Sequence, residues 1–492
     1  MCLFAVKCKL KKIYALKEDK VMIKFGTGGW RAETGKDFNY DNIRLFAQGF
    51  CNYAKQKGLD SKPVIIGFDR RFLSDNAANW ISEVLSGNGI KVITLHRSAP
   101  TPFVMHYVKK NGLYFGMEVT ASHNPSNYNG IKIIIEEGRD ASLEVTAELE
   151  EHINSLTYND IISKEMKLGL EDGSVCYLEN PFNDFIDDIL ALSDVQAIRN
   201  RGLRILFDPM HGSATYPLMV VLHTARCTVD IINNSKDAYF GGSMPAPTQK
   251  TLQALAEKVV SGSYDLGIGV DGDGDRLGII DSEGNYIDAN EILCMLYWYL
   301  HEVKGWRGPV VRNLATTHLL DKIAEDIGEK CYEVPVGFKY ISSKLDEVDA
   351  ILGGESSGGL TVRGHIYGKD SVYAATLFVE MLSKTGKTPK ELLSMLSEKY
   401  GSFVMVESNL GFAPEAKEDI LKTVMVDKKL PDFSKKVSKV NYEDGCKVYF
   451  DDSSFVICRF SGTEPLLRIF AEGSDKDTAQ GYIDAWQKML FN

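Results

Sequence analysis

The sequence lacks the features by which several common classes of protein are recognised. No window approaches the run of about eighteen apolar residues that a membrane-spanning helix needs, so no membrane partner is expected. Positive charge is in deficit, because 56 lysines and arginines stand against 67 aspartates and glutamates, a net charge of −11. This balance argues against nucleic acid as a partner, and it means that an anionic substrate needs local basic residues. No Gly-x-x-x-x-Gly-Lys-Ser/Thr stretch occurs, which disfavours a P-loop nucleotide enzyme.

Paired cysteines and a signal peptide are also absent. The nine cysteines are scattered, odd in number and never spaced as Cys-x-x-Cys. Reduced thiols in a cytoplasmic protein are the simplest interpretation. Residues 1–21 carry lysines among apolar residues but have neither a long apolar core nor a small-residue cleavage site. We interpret 1–21 as an N-terminal extension, with a short targeting segment as the alternative.

A chain of 492 residues is too long for one hydrophobic core, so three or four domains are expected. Strand-like and helix-like segments alternate in three stretches of similar size, which predicts three α/β units. The segment 334–339 is predicted to be a loop. The last hundred residues change character and predict a smaller α+β domain. The predicted boundaries follow the extension at 1–21 and give domains at 22–175, 176–282, 283–399 and 400–492.

The stretch Thr120-Ala121-Ser122-His123-Asn124-Pro125 is predicted to be a loop between two apolar strands. The hydroxyl of Ser122 is a candidate nucleophile or phosphate carrier. His123 and Lys132 could supply a proton relay and positive charge. The alternative is that Ser122 and His123 are ordinary, hydrogen-bonded turn residues.

Asp271, Asp273 and Asp275 alternate with glycines directly after a predicted strand. Side chains two apart in an extended segment point the same way, so the three carboxylates converge and their repulsion demands a cation. Oxygen ligands of this kind suit Mg²⁺. An EF-hand is excluded, because its sixth position is Arg276 and its twelfth is Ser282. An acidic surface turn remains the alternative.

Three further loops could bind anions or hydroxyl groups. The segment from Arg459 to Pro465 offers a guanidinium, two hydroxyls and a glycine amide, as a phosphate-binding loop would. The segment from Gly354 to Gly359 offers a carboxylate and hydroxyls suited to a sugar. The glycine-rich segment that ends at Arg31 brings backbone amides and a guanidinium to an anion. Taken singly, each is also consistent with an ordinary turn.

These motifs, in this order, resemble those of the α-D-phosphohexomutase family, which includes phosphoglucomutases and phosphomannomutases. The resemblance extends from about residue 25 to the C-terminus. It implies three similar α/β domains with mixed sheets and a smaller C-terminal domain around a central cleft. It also implies that Ser122 carries a phosphoryl group, and that Asp271, Asp273, Asp275 and a phosphate oxygen on Ser122 bind Mg²⁺.

The resemblance assigns further roles one residue at a time. Lys132 is the implied base, with His123 nearby and Arg31 beside the phosphoserine. The implied substrate-binding residues are Arg276, Gly337, Lys339, Glu355, Ser357, His365, Lys369, Arg459, Ser461, Gly462 and Thr463. The His365-x-x-x-Lys369 spacing resembles that of the glucomutase branch, and many phosphomannomutase-type and glucosamine-type members have histidine where this chain has Gly359.

The implied activity is interconversion of hexose 1-phosphate and hexose 6-phosphate through a hexose 1,6-bisphosphate, with glucose as the expected sugar. A phosphomannomutase or a dual-specificity mutase is the first alternative. A metal-dependent phosphatase and a non-catalytic sugar-phosphate-binding relative are further alternatives. Sugar phosphates are the expected partners, and the chain is expected to be a monomer or a homodimer.

Overall fold

The computed structural model describes residues 22–26, 28–460 and 466–491. The extension predicted at 1–21 and the predicted substrate-binding residues Ser461, Gly462 and Thr463 lie outside the described residues. Within the described part of the chain, no helix is both long and apolar enough to cross a membrane.

The first unit is a mixed sheet of eight strands. Its order is β1-β2-β6-β5-β3-β4-β8, and β7 pairs with the C-terminal end of β6. The central strands β5, β3, β4 and β8 are parallel, whereas β6 runs antiparallel to β5. The strands are β1 Phe25–Gly26, β2 Gly29–Glu33, β3 Val64–Phe68, β4 Val92–Thr94, β5 Phe115–Val119, β6 Tyr128–Ile135, β7 Arg139–Asp140 and β8 Val175–Tyr177. The helices of this unit are Tyr40–Gln56, Ser74–Gly87, Thr101–Lys110, Leu143–Ser155 and Met166–Glu171.

The second and third units repeat this plan with fewer strands. Their orders are β10-β9-β11-β12-β13 and β15-β14-β16-β17. The strands are β9 Arg204–Asp208, β10 Thr228–Ile231, β11 Leu266–Val270, β12 Leu277–Asp281, β13 Tyr286–Ile287, β14 Val310–Asn313, β15 Cys331–Val334, β16 Leu352–Gly354 and β17 Leu360–Val362. The helices are Asn183–Leu192, Val195–Arg201, Thr215–Thr224, Gln253–Ser261, Ala289–Glu302, Leu319–Asp326, Phe338–Glu347, Ser371–Thr385 and Pro389–Tyr400.

One feature of the three sheets positions the motifs. In each unit a strand that is parallel to its neighbour turns back into an antiparallel partner, and a predicted functional loop joins the two. The register pairs Val119 with Ile131 at the base of the Ser122 loop, and Val270 with Leu277 at the base of the aspartate loop. Gly354 pairs with Leu360 below the predicted sugar loop. The three loops therefore occupy equivalent places in three similar units.

The fourth unit is a five-stranded antiparallel sheet in the order β18-β22-β21-β20-β19. Its strands are β18 Val404–Gly411, β19 Val437–Asn441, β20 Cys446–Phe450, β21 Phe455–Phe460 and β22 Leu466–Gly473, with helices at Lys417–Leu421 and Lys476–Phe491. The prediction of three α/β units followed by a smaller α+β unit is confirmed. The exact domain boundaries stay predictions; the four sheets span residues 25–177, 204–287, 310–362 and 404–473.

The apolar cores show how the units are joined. The largest core cluster runs through the first three units, whereas the fourth unit has its own core around Trp486. A small cluster in which Leu314 and Ala315 pack on Phe455 and Ile457 joins the third unit to the fourth. The ion pair of Lys447 with Glu333, at 2.6 Å, lies at the same junction. The fourth unit therefore has a hydrophobic core separate from the one that the first three units share.

The segment 334–339, predicted as a loop, is a loop only in part. The strand β15 extends to Val334, and the helix Phe338–Glu347 begins three residues after Pro335. Pro335 and Gly337 are typical turn residues and dominated the prediction. The amphipathic spacing of Phe338, Ile341 and Leu345, which are buried together, was the signal of the helix that the prediction missed.

Substitution by alanine is expected to change stability in opposite directions at two helical glycines. A Cβ on Gly49 would overlap the side chain of Ile153 and lie 2.7 Å from its Cα, because two helices cross there at close range. A Cβ on Gly481 in the last helix would meet no atom within 4 Å. We expect Gly49→Ala to lower the free energy of unfolding by about 1–3 kcal/mol, and Gly481→Ala to raise it by about 0.5–1 kcal/mol. Urea unfolding followed by circular dichroism measures both; equal effects would contradict the close helix contact.

Candidate active site

Ser122 lies in a strained loop at the end of β5. Its backbone has φ +51, a left-handed conformation that non-glycine residues rarely adopt, and its side chain is almost fully buried. The Ser122 amide donates to Oγ1 of Thr120 at 2.8 Å, and that hydroxyl donates to Oδ2 of Asp69 at 2.7 Å. Strain of this kind persists where surrounding contacts over-determine the conformation, as they do at many active sites.

Arg71 supplies most of those contacts, although no role was predicted for it from the sequence. Its guanidinium donates to the carbonyl oxygens of Ser122, Asn124, Pro125 and Tyr128 at 2.5–3.0 Å. The Asp69 carboxylate balances its charge at 3.3 Å. One buried cation thus gathers the carbonyl groups of the whole loop. Its place directly after β3 was the only sequence signal.

The three aspartates converge as predicted. One carboxylate oxygen from each of Asp271, Asp273 and Asp275 lies within 4.8 Å of the others, and all three side chains are buried. The loop curls because Oδ1 of Asp271 accepts from the amides of Asp275 and Arg276, at 2.8 and 3.0 Å. Burial, together with repulsion from the other two carboxylates, raises the pKa of Asp271 well above its ordinary value.

Lys132 reaches this cluster from the first unit. Its Nζ lies 2.7 Å from Oδ2 of Asp273 and 2.8 Å from Oδ2 of Asp275. Burial alone would lower the pKa of Lys132, but Asp273 and Asp275 outweigh burial and raise it, so the side chain is an ammonium. Thr101 adds a hydroxyl bond to Asp273 at 2.7 Å. The first and second units therefore meet through a buried charge balance.

The donor set fits a divalent cation. Oδ1 of Asp273 and Oδ1 of Asp275 are buried and have no hydrogen-bond partner among the described residues. Oγ of Ser122 lies 3.4 Å from Oδ2 of Asp271. Such oxygens, held together against their repulsion, are the ligands that Mg²⁺ prefers. The prediction of a magnesium site therefore agrees with the chemistry and the geometry of this cluster.

The surroundings of Ser122 are cationic. Nδ1 of His123 lies 3.4 Å from the Ser122 hydroxyl. The pKa of His123 lies far below its ordinary value. The largest cause is the charge of Arg276, followed by burial and by the charges of Arg31 and Lys369. The imidazole is therefore neutral. Arg31 donates to Oδ1 of Asn124 at 2.7 Å and so lies beside the loop, as predicted. A dianionic phosphoryl group would be well compensated here.

The predicted sugar loop is held by its own unit and by the second unit. Oε1 of Glu355 accepts from the Ser357 hydroxyl at 2.6 Å, and Asn313 donates to Oε2 at 3.3 Å. The amide of Leu277 donates to the carbonyl of Gly358 at 3.0 Å, which fixes this loop to the strand that follows the aspartates. Glu355 is only 7% exposed, so its carboxylate is almost entirely enclosed by the protein.

Lys369 joins the sugar loop to the aspartates. Its Nζ lies 3.4 Å from Oδ2 of Asp275 and 3.9 Å from Oε1 of Glu355. Its aliphatic stem crosses directly over Gly359, where a Cβ would overlap Cδ of Lys369 and lie 2.9 Å from its Cγ. The absence of a side chain at residue 359 is therefore what permits this path.

Three further residues predicted to bind substrate are His365, Gly337 and Lys339. The ring of His365 is buried and its Nε2 lies 2.5 Å from Oδ2 of Asp370, which caps the helix Ser371–Thr385. The structure thus places His365 in support of the Lys369 segment, and its contact with substrate stays a prediction. Gly337 precedes the helix Phe338–Glu347 with φ +133, and Lys339 lies in the first turn. Burial lowers the pKa of Lys339.

Arg459 is the penultimate residue of β21, close to the loop that lies outside the described residues. Its guanidinium NH2 lies 3.1 and 3.0 Å from the two carboxylate oxygens of Asp444. Its Nε is buried and has no partner among the described residues. Asp444 is a second residue that sequence reasoning missed, because its only signal was the turn residue Gly445 beside it.

Comparison with known proteins gives the same four-part organisation. Models of phosphoglucomutase/phosphomannomutase α/β/α domains I, II and III match residues 22–160, 183–284 and 288–400. The model of the C-terminal domain of the same family matches residues 411–487.

Curated relatives match over nearly their whole length. A probable phosphoglucosamine mutase of Methanocella arvoryzae is 30% identical over 461 residues, which is 93% of this chain and 96% of that protein. A phosphoglucomutase/phosphomannomutase of Thermococcus kodakarensis is 28% identical over 467 residues, 95% of this chain and 98% of that protein. The crystal structure of a putative phosphomannomutase from Thermus thermophilus superposes with a TM-score of 0.83 at 25% identity, covering 96% of this chain and all of that one.

The contacts of Arg71 predict a large effect of its removal. Arg71→Met would leave the Asp69 carboxylate buried without its counter-charge and four carbonyl groups without their donor. We expect a loss of about 3–5 kcal/mol in the free energy of unfolding and faster amide exchange in the Ser122 loop. Arg70→Met is the matched control, since Arg70 is partly exposed and, within the described part of the chain, donates only to the carbonyl oxygens of Asn234 and His211. Similar losses from both substitutions would show that Arg71 does not hold the loop.

The crossing of Lys369 over Gly359 predicts a coupled pair. Gly359→Ala should displace the lysine stem and raise KM for a sugar phosphate, as Lys369→Ala should by removing the ammonium. In the Lys369→Ala background the overlapping Cδ is gone, so adding Gly359→Ala should change KM little further. Steady-state kinetics on the two single variants and the double variant measure this coupling. Additive effects would mean that Gly359 acts independently of Lys369.

Proposed function

Because this chain belongs to the phosphoglucomutase/phosphomannomutase family, we propose that it interconverts the 1-phosphate and 6-phosphate of a hexose, with glucose as the preferred sugar. Membership makes it a phosphohexomutase, an isomerase that works by intramolecular phosphotransfer. The observation that supports the proposed site most strongly is the position of the Ser122 hydroxyl, 3.4 Å from Asp271 in a buried aspartate cluster.

The proposed reaction uses Ser122 twice. In the first half, the bond between phosphorus and Oγ of phosphorylated Ser122 breaks, and a substrate hydroxyl oxygen forms the new bond to phosphorus. The product is a hexose 1,6-bisphosphate, and the hydroxyl proton passes to a base. After the sugar turns, the bond between the other phosphorus and its sugar oxygen breaks, Oγ of Ser122 forms the new bond to that phosphorus, and the proton returns to the freed sugar oxygen. Nothing is oxidised and no water is consumed.

The charged residues of the site have separate proposed roles. Asp271, Asp273 and Asp275 would hold Mg²⁺, which supplies Lewis-acid neutralisation of phosphoryl charge. Arg31 and Arg276 would offset the remaining charge. Lys132 is the proposed proton acceptor; its ammonium lies between Asp273 and Asp275, so it takes the hydroxyl proton only as it passes one of its own protons to Oδ2 of one of these carboxylates. His123 is a neutral neighbour of the Ser122 hydroxyl.

The sugar is proposed to bind between two loops. Glu355 and Ser357 would accept and donate hydrogen bonds to adjacent hydroxyls, with Lys369, Lys339, Gly337 and His365 around them. Arg459, Ser461, Gly462 and Thr463 would bind the phosphate that is not reacting. Both loops must keep their contacts while the reactive end of the sugar alternates.

The local charge supports a neutral sugar. Lys369 lies 3.9 Å from Glu355, and Arg276 and Lys339 are further cations of the proposed site. An ammonium group on the sugar would be repelled by these side chains, whereas the hydroxyl of glucose or mannose would not. Phosphoglucosamine mutase is nevertheless a second candidate function, since the Methanocella arvoryzae relative bears that name.

The first test concerns the phosphoryl carrier. Intact-mass measurement of purified protein after incubation with glucose 1,6-bisphosphate should show one added phosphate. Ser122→Ala should abolish both the adduct and the isomerisation, because it removes the hydroxyl that lies 3.4 Å from Asp271 and is the proposed attachment point of the phosphoryl group. Ser126→Ala, in the same loop, is the matched control and should keep the adduct. An adduct that survives Ser122→Ala would remove this residue from the mechanism.

The same assay tests the substrate. Glucose 1-phosphate, mannose 1-phosphate and glucosamine 1-phosphate are compared with Mg²⁺ present, and both the 6-phosphate product and free phosphate are measured. The highest kcat/KM is expected for glucose 1-phosphate. A higher value for glucosamine 1-phosphate would establish the second candidate instead. Free phosphate as the main product would identify a phosphatase.

A further inference from the structure

Asp444 forms a bridge between the third and fourth units. One of its carboxylate oxygens accepts from the backbone amide of Val336, in the third unit, at 2.9 Å. The carboxylate also lies 3.0 and 3.1 Å from NH2 of Arg459 on its own sheet. A single side chain therefore connects the segment before Gly337 with the guanidinium that precedes the proposed phosphate loop.

The local backbone fixes this arrangement. Gly445, the next residue, has φ +90, and a Cβ there would overlap the carbonyl oxygen of Cys458 and lie 3.0 Å from Cγ of Arg459. The Asp444–Gly445 turn is thus packed on the stem of the arginine. The register also sets Arg459 opposite Arg468 on β22, and like charges facing each other across a sheet repel. The Asp444 carboxylate compensates that repulsion on the Arg459 side.

The bridge leaves Arg459 free to bind an anion. Asp444 uses only NH2, whereas the buried Nε has no partner among the described residues. Guanidinium groups bind phosphate best when a fixed plane presents two parallel N–H donors. An arginine held at one nitrogen by a carboxylate keeps such a plane oriented. The same carboxylate can make its bond to Val336 only when the fourth unit is seated on the third.

We propose that Asp444 is a positioning residue, which orients Arg459 toward the non-reacting phosphate and couples that orientation to the seating of the fourth unit on Val336. This inference rests on the proposed phosphate-binding role of Arg459. It makes the phosphate contact and the closure of the cleft depend on one carboxylate. Closure matters in the proposed reaction, because water that reaches the phosphoserine would convert phosphoryl transfer into hydrolysis.

The two functions of the carboxylate are separable by substitution. Asp444→Asn keeps an oxygen that accepts from the Val336 amide but loses the charge that orients Arg459. We expect KM for the hexose phosphate and the inhibition constant of inorganic phosphate to rise about tenfold, with kcat nearly unchanged. Asp444→Ala loses both contacts, so kcat should also fall and the fraction of substrate released as free phosphate should rise.

Two controls make the outcome decisive. Asp452 is a carboxylate of the same unit that pairs with Lys435 and accepts a hydrogen bond from the Ser454 amide. Asp452→Asn should leave KM, kcat and the inhibition constant of phosphate unchanged. Arg459→Ala should raise the inhibition constant of phosphate at least as much as Asp444→Asn. The inference is overturned if Arg459→Ala weakens phosphate binding and both Asp444 variants do not. If Arg459→Ala also has no effect, the proposed role of the last loop fails, and the assignment of Asp444 fails with it.

Discussion

The structure depends on the neutralisation of three carboxylates that one buried loop brings together. Asp271, Asp273 and Asp275 cannot all ionise in a dry environment without cations, and two of them share the ammonium of Lys132 at 2.7 and 2.8 Å. That lysine comes from the first unit, whereas the aspartates belong to the second. Separating the two units would leave the lysine and the aspartates without their partners, and a buried charge without a partner costs several kcal/mol. The charge balance therefore determines where the two units meet, and Ser122 lies at that meeting point.

The serine loop shows how the scaffold maintains a conformation that the local sequence does not favour. A left-handed serine costs on the order of 1–3 kcal/mol, and the cost is tolerated only where other contacts hold it. Here those contacts come from Arg71 and Asp69, at the end of a neighbouring parallel strand. The repeated hairpins of the first three units do the same for the other two loops. Each loop is held by a strand pair below it and by a neighbouring unit beside it.

Sequence reasoning predicted the residues whose role depends on local spacing and missed those whose role depends on distant partners. The aspartates alternate within five residues, and Ser122 lies between two apolar runs, so both were visible. Arg71 is more than fifty residues from the carbonyl groups that it gathers, and nothing near it in the chain reveals them. Asp444 likewise acts on Val336 in another unit. The helix at Phe338–Glu347 was missed because Pro335 and Gly337 outweighed its periodicity, and Lys339 lies in the first turn of that helix.

The distribution of apolar contacts matches the demands of the proposed reaction, in which the sugar turns between two phosphoryl transfers. Three loops on units that share one large core can keep fixed distances from one another, which positions Ser122, the aspartates and Glu355 reproducibly. The fourth unit has its own core and meets the third through four buried apolar residues and a few polar contacts. A unit attached in this way can separate and return at lower cost than the other three. The polar contacts decide how it returns, because Asp444 and Lys447 find their partners Val336 and Glu333 only in the seated position. Apolar contact thus makes the closed state favourable, while hydrogen bonds and charge give it one geometry.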